Sequence, residues 1–250
     1  MRYVLKIAYD GTDYAGWQRQ KNACSVQQTL EEALLASLGI SARITASGRT
    51  DAGVHAAGQV CHFDAECTVP AERMPDCLNR YLPPSIRVLE GWKGVPDFDS
   101  CRGAKRKTYR YTVYEGEREN PLLERYATRV EKLPQTELLQ SFARYMEGEH
   151  DFKAFCASGS SVKTTVRTVY SVQVVERKEY ATKVVDVFVT GNGFLYNMVR
   201  TMVGELLDLA NGRKSVEQLL LAYSTGDRSL LGKTLAAKGL TMVEVVYQDE

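Results

Sequence analysis

The chain has 250 residues, 44% of them hydrophobic and 25% charged, with a formal net charge of +1. That length carries one large domain or two modest ones with a real core, and the composition excludes a disordered or low-complexity chain. A charge so near zero also excludes a globally basic nucleic-acid binder, so any such binding must use clustered charge.

In chain order, Arg2 to Asp10 alternates apolar and polar residues and predicts a first strand. Gly11 to Gln20 reads as a loop holding Gly16, Trp17 and Gln18. Ser25, with Gln28 three residues on, predicts a capping box opening a helix. Leu30, Ala33, Leu34 and Leu38 supply its apolar stripe, and Gly39 ends it. Strands are predicted at Ala42 to Ala46 and Gln59 to Asp64, a short helix at Pro70 to Arg80, and strands at Ile86 to Trp92 and Lys105 to Glu115. Gly116 to Pro121 is polar and turn-rich and reads as a link between two halves, 1–115 and 116–250.

The second half repeats the grammar. Thr136 to Met146 predicts a helix capped by Thr136, and Thr165 to Glu176 and Thr182 to Thr190 predict strands. Phe194 to Leu209 and Ser215 to Tyr223 predict helices, and Met242 to Tyr247 a closing strand. Strands and helices mix without strict alternation, which predicts an α+β fold with a mixed, mainly antiparallel sheet.

No apolar run approaches a membrane span, and the N-terminus lacks a signal core, which predicts a cytoplasmic protein. The six cysteines are scattered without a C-x-x-C pair, as in a reduced chain. His55, His62 and His150 lack the close spacing of a zinc site.

Four stretches carry candidate chemistry. Ser47 to His55, S-G-R-T-D-A-G-V-H, sets Arg49 and Asp51 between two glycines, and G-Q-V comes just after it at Gly58 to Val60. Asp and Gly are common turn residues, so alone it reads as a tight turn. Ala104 to Tyr111, A-K-R-K-T-Y-R-Y, interleaves cations with aromatics; it reads as an RNA-tracking strand or as a charged, protected strand edge. The others are His150 to Thr168, containing F-C-A-S-G-S and T-V-R-T, and Gly191 to Gly204, G-N-G-F-L-Y-N-M-V-R-T-M-V-G.

Together, in this order, these segments resemble the tRNA pseudouridine synthases of the TruA type. The likeness runs from Tyr9-Asp10-Gly11-Thr12 to Gly239-Leu240. It implies a pseudouridine-synthase-like fold of two related halves around a central cleft. It also implies an isomerase that converts uridine to pseudouridine in the tRNA anticodon stem-loop, at tRNA positions 38, 39 and 40, acting as a homodimer without cofactor or metal. Asp51 falls in the nucleophile position, Arg200 is implied as the cation beside it, and Tyr109 matches the active-site tyrosine.

The chemistry of each residue fits its role. A carboxylate can attack C1′ of the ribose or C6 of the ring, or abstract a ribose proton, and each route needs it ionised. A neighbouring arginine holds its pKa down. On a helix from Phe194, Arg200 would share a face with Tyr196, Asn197 and Gly204, while Leu195, Met198, Met202, Leu206 and Leu209 pack elsewhere. Tyr109 can stack on the base and aid proton transfer, with Tyr111 as the alternative core tyrosine. A paired base must be flipped out to be reached. Arg49, beside the nucleophile, suits the vacated gap or the flipped nucleotide. Lys105, Arg106, Lys107 and Arg110, with Arg102, Lys163 and Arg167, suit RNA phosphates.

Cys101 departs from the family pattern, standing where an arginine is usual. Leu235-Ala236-Ala237 lacks the prolines usual in the family before the Gly-Leu pair, with Ala236 in its middle, and Met242 stands where an aliphatic leucine is common. Two other classes compete: a catalytically silent RNA-binding module of the same fold, and a hydrolase using Asp51 with His55.

Overall fold

The computed structural model describes residues 1–157 and 162–248; Ser158 to Ser161, which include the S-G-S end of the F-C-A-S-G-S segment, lie outside the described residues. The first elements are β1 (Arg2–Tyr9), α1 (Val26–Leu38), β2 (Thr45–Ala46), β3 (His55–Asp64), α2 (Met74–Leu78), β4 (Ile86–Lys93) and β5 (Arg106–Glu115). Then come β6 (Thr128–Val130), α3 (Thr136–Ala143), β7 (Gly148–Asp151), β8 (Val166–Glu179), β9 (Thr182–Gly191), α4 (Met198–Ala210), α5 (Val216–Thr225) and β10 (Leu240–Val246). The sheet pairing is mixed and mainly antiparallel, as the lack of strict strand–helix alternation predicts.

Backbone contacts divide the chain into two units, residues 1–105 with 241–250, and residues 106–240. The division therefore differs from a cut between residues 115 and 116. β5 is hydrogen-bonded to β9 from Lys107 to Tyr114, so it belongs to the second unit. The segment Gly116 to Pro121 lies inside that unit: Gly116 N–H donates to Val130 O, and Asn120 N–H to the Tyr114 hydroxyl. Turn composition marks a chain reversal, and a reversal within a unit looks the same as a link between units.

In the first unit, β1 lies between antiparallel β3 and β4. β10 joins β3 in parallel, pairing Thr241 with His55. Tyr3 stacks on Phe63 at 5.2 Å, and Leu5 and Ile7 are fully buried. α1 buries Val26, Leu30, Ala33 and Leu34, the spacing of one helix face. The Ser25 hydroxyl caps Gln28 N–H and Gly39 closes the helix at φ 70. The capping box is half made, because the Gln28 amide donates to Glu32 instead. β2 is shorter than the alternation predicts. Ile44 N–H goes to Glu31 and Ile44 O accepts from Gln27, so α1 side chains occupy the groups a longer strand would use. α2 ends at Asn79, whose amide brackets both backbone groups of Val88.

In the second unit, β5, β9, β8 and β7 pair antiparallel in that order, and β6 adds to β5 in parallel. Thr136 opens α3 but does not cap it; its hydroxyl donates to Glu176 at 2.6 Å. α4 begins at Met198, four residues later than its apolar pattern predicts. Asn197 is left-handed there, at φ 64, which breaks the helical path through Phe194 to Tyr196. α5 carries a full capping box of Ser215 and Gln218.

α4 buries one carboxylate. Glu205 is fully buried; Oε2 accepts Gly232 N–H at 2.5 Å, and Oε1 has no hydrogen-bond partner. Burial raises its pKa above the ordinary 4.5, helped by Asp208 and opposed by Gly232, Lys214 and Arg228. A raised carboxyl favours folding below its unfolded pKa, and that contribution is lost as pH rises through the folded value. Glu205→Gln keeps an acceptor for Gly232 and removes the charge. Thermal melts should show the variant more stable than wild type at neutral pH, with the gain closing toward pH 4.5. A pH-independent difference would contradict the assignment.

Candidate active site

The loop from Ser47 to Val54 is shaped by groups outside it. Ser47 is fully buried: its N–H donates to Val60 O at 2.8 Å and its hydroxyl to Gln59 Oε1 at 2.5 Å. The same Gln59 donates from Nε2 to Gly48 O at 2.9 Å, so one β3 side chain fixes the loop's entry. Thr50 is held from both ends. Its Oγ1 bonds the Tyr9 hydroxyl at 2.8 Å and its carbonyl accepts Trp17 N–H at 3.0 Å. Tyr9 is buried, and burial pushes its phenol up to about 12, so it stays a neutral partner. Beyond Asp51, Val54 N–H donates to Asp51 O at 3.1 Å, and Gly53, at φ 76, donates to Tyr14 O at 3.3 Å. Asp51 is thus half-buried at the apex of a turn clamped before and after it.

The segment from Tyr9 to Trp17 is the platform under this loop. A Cβ on Gly11 would stand 1.9 Å from Val54 O, and one on Gly16 would stand 2.5 Å from Thr50 O. Such approach is open only to glycine. His55 belongs to the platform too. Its Nδ1 accepts Gly11 N–H at 3.0 Å, which requires that nitrogen to be unprotonated, although Asp10 Oδ1 lies 3.2 Å away. Asp10 Oδ1 instead accepts the N–H and hydroxyl of Thr12. The imidazole therefore braces the turn.

Arg49 is exposed. It borders a depression of about 360 Å³ with Trp17, Arg43, Gly48 and Cys101 among its walls. The Cys101 departure therefore falls beside Arg49.

In the second unit, Tyr109 on β5 is 8% exposed and meets the edge of Phe194 at 5.2 Å. Tyr111, two residues on, is fully buried, bonding Thr128 and Ala236 O through its hydroxyl. Burial raises its phenol pKa, and Tyr111 fills the core role. Arg200 is half-buried in the first turn of α4: Nε donates to Leu235 O and Nη1 to Asn197 Oδ1, each at 2.7 Å. Gly204, one turn on, lets α4 press against Lys233, whose carbonyl would lie 2.1 Å from a Cβ there. Gly204 stays on the Arg200 face; Tyr196 and Asn197 precede the helix.

A model of the tRNA pseudouridine synthase family matches residues 6–113 and 142–248. The chain is 42% identical to tRNA pseudouridine synthase A of Pelobacter propionicus, covering 97% of this chain and 98% of that one. It is 40% identical to the protein of the same name from Streptococcus mutans over the full length of both. Its identity to the one from Caldicellulosiruptor bescii is 37%, covering 98% of each. The chain belongs to the tRNA pseudouridine synthase A family. Its coarse assignment follows: an isomerase of pseudouridine synthesis in tRNA processing.

The clamped loop with Asp51 lies in the first unit, and the second unit holds Tyr109 and Arg200. The basic residues divide. Lys105 is exposed, its N–H donating to Val246 O at the end of the first unit. Arg106 and Lys107 are half-exposed at the start of β5. Arg110 lies 3.9 Å from buried Asp186, which also takes the Thr112 hydroxyl and the Arg177 guanidinium at 2.6 Å each. Arg167 turns its Nη1 back to the carbonyls of Thr164 and Val166. Sequence reasoning missed Tyr9, Thr50, Gln59 and Asn197. Gln59 stands inside the G-Q-V run, but a lone glutamine on a strand gives no sign of gripping a loop. No helix among the described residues is long and apolar enough to cross a membrane.

Proposed function

We propose that this protein isomerises uridine to pseudouridine in the tRNA anticodon stem-loop, at tRNA positions 38, 39 and 40, with Asp51 as the nucleophile. The observation that carries the reading is the apex loop: a carboxylate held on a turn whose backbone is fixed by Gln59, Tyr9, Tyr14 and Trp17. Preorganised placement of a reacting group is what nucleophilic catalysis needs.

The bond from uracil N1 to C1′ breaks, the base turns, and C5 joins C1′. The hydrogen on C5 leaves as a proton, and N1 ends protonated, so the reaction consumes nothing and needs no cofactor. Asp51 starts the sequence at C1′, at C6 or at a ribose proton, and leaves it unchanged. Arg200 is the counter-ion that keeps Asp51 ionised. Tyr109, its ring seated edge-on against Phe194, stacks on the target base. Arg49 stands in the gap left by the flipped nucleotide. Lys105, Arg106, Lys107, Arg110 and Arg167 contact tRNA phosphates, and the enzyme works as a cytoplasmic homodimer.

The test uses tRNA transcripts tritiated at uridine C5, because joining C5 to the ribose releases that tritium to water. Release that maps to the anticodon stem-loop supports the reading. Tight binding with no release would replace it with a silent RNA-binding module. A second expectation concerns charge. Replacing Lys105, Arg106 and Lys107 together by Ala should weaken tRNA binding and reduce the salt slope of log K by about 2–3. An unchanged slope would remove these residues from the RNA footprint.

A further inference from the structure

We infer that Asn197 is a positioning residue of the reaction, fixing the Arg200 guanidinium at the expense of the helix it begins. Asn197 is the N-cap of α4. An asparagine there ordinarily accepts a backbone N–H from the first turn of its helix. Asn197 makes no such bond. Its Oδ1 accepts from the side chain of the third helical residue, Arg200, at 2.7 Å.

The backbone shows a second concession. Asn197 is left-handed, at φ 64 and ψ 1. Among the described residues the other non-glycines with positive φ are Tyr180 and Ala181, which form the two-residue turn between β8 and β9. Positive φ at both positions is what a tight hairpin turn requires. No hairpin requires it at Asn197. A forgone cap and a left-handed backbone at one residue are local costs, and such costs persist where they serve a site.

What they achieve is visible at the guanidinium. Leu235 O fixes Nε and Asn197 Oδ1 fixes Nη1. Two bonds to different nitrogens set both the position and the plane of a rigid fork. This inference rests on the reading of Arg200 as the counter-ion of Asp51.

The test compares Asn197→Gly, Asn197→Asp, Arg200→Lys and the double variant Asn197→Gly/Arg200→Lys on full-length protein. Melting temperature, tRNA affinity, kcat and KM are measured for each. Glycine adopts the left-handed backbone without strain, so Asn197→Gly should melt at or above wild type. It should bind tRNA with unchanged Kd and KM, while kcat falls about tenfold or more, as expected for a misplaced group. Asn197→Asp keeps an acceptor oxygen and should recover most of the lost kcat. Arg200→Lys should lower kcat, and Asn197→Gly should add little in that background, because the amide acts through the guanidinium.

Wild-type kcat in Asn197→Gly overturns the inference, as does a rate in Asn197→Asp no better than in Asn197→Gly. Equal proportional losses from Asn197→Gly in both backgrounds also overturn it, since the amide would then act elsewhere. Wild-type kcat in Arg200→Lys is a separate result and removes Arg200 from the mechanism.

Discussion

Asp51→Asn should abolish tritium release from C5-tritiated tRNA, a loss of at least about 10⁴-fold in kcat, with tRNA affinity within about twofold of wild type. The amide matches the carboxylate in size, so the loop keeps its shape. That shape is set by Ser47 and Thr50, gripped by Gln59 and Tyr9, and by the backbone N–H groups of Trp17, Gly53 and Val54. The turn closes on the Asp51 carbonyl, which the substitution leaves in place. What disappears is the negative charge, and an amide can neither attack nor abstract a proton. Single-turnover release and filter binding on one preparation separate the two quantities. Residual release within about tenfold of wild type would remove Asp51 from the chemistry.

Gly16→Ala should damage both the stability of the first unit and the chemistry of its loop. Gly16 has φ +87, and an added Cβ would meet Thr50 O at 2.5 Å and the Asp51 carbonyl carbon at 3.0 Å. Neither neighbour is the flexible end of a side chain; both are backbone of the loop itself. The left-handed backbone costs about 1 kcal/mol and overpacking about 1–3 kcal/mol more. For a chain of this size that total corresponds to a fall in melting temperature of about 4–16 °C. The damage should also reach the chemistry. Gly16 O and Trp17 O accept the Val26 and Gln27 N–H groups at the start of α1, so the platform cannot move away from the loop without loosening that helix. The loop must yield instead, and kcat should fall even at temperatures where the variant is folded. A melt within about 1–2 °C of wild type would show that the loop accommodates the methyl.

The nearly end-to-end family match explains why so much was legible in the chain. Alternation at Tyr3, Leu5 and Ile7 marked β1, and Ser25 and Gly39 marked both ends of α1. These are local signals, written within one turn or one strand pair. The motif from Ser47 to His55 was legible as a unit of composition. Its reading as a tight turn was correct at the level of backbone, and the Val54 bond to Asp51 O closes that turn. The boundary near residue 115 was not legible, because strand pairing over tens of residues assigns β5 to the second unit. Nor was the start of α4. Leu195 and Met198 continue one apolar stripe and both are buried, yet the backbone turns left-handed between them.

By itself, then, the sequence determined the type of the elements it predicted, the mainly antiparallel character of the sheet, and the family. Each of these rests on neighbours within a few positions or on the order of short segments. Tertiary structure alone decided where the units divide, that β10 returns to pair in parallel with β3, and what holds the motif loop. It also decided that the Asn197 amide serves Arg200 rather than the helix it caps. The physical reason is the same in each case. A side chain such as Gln59 or Asn197 has several partners within reach, and only the packed backbone around it fixes which one it takes.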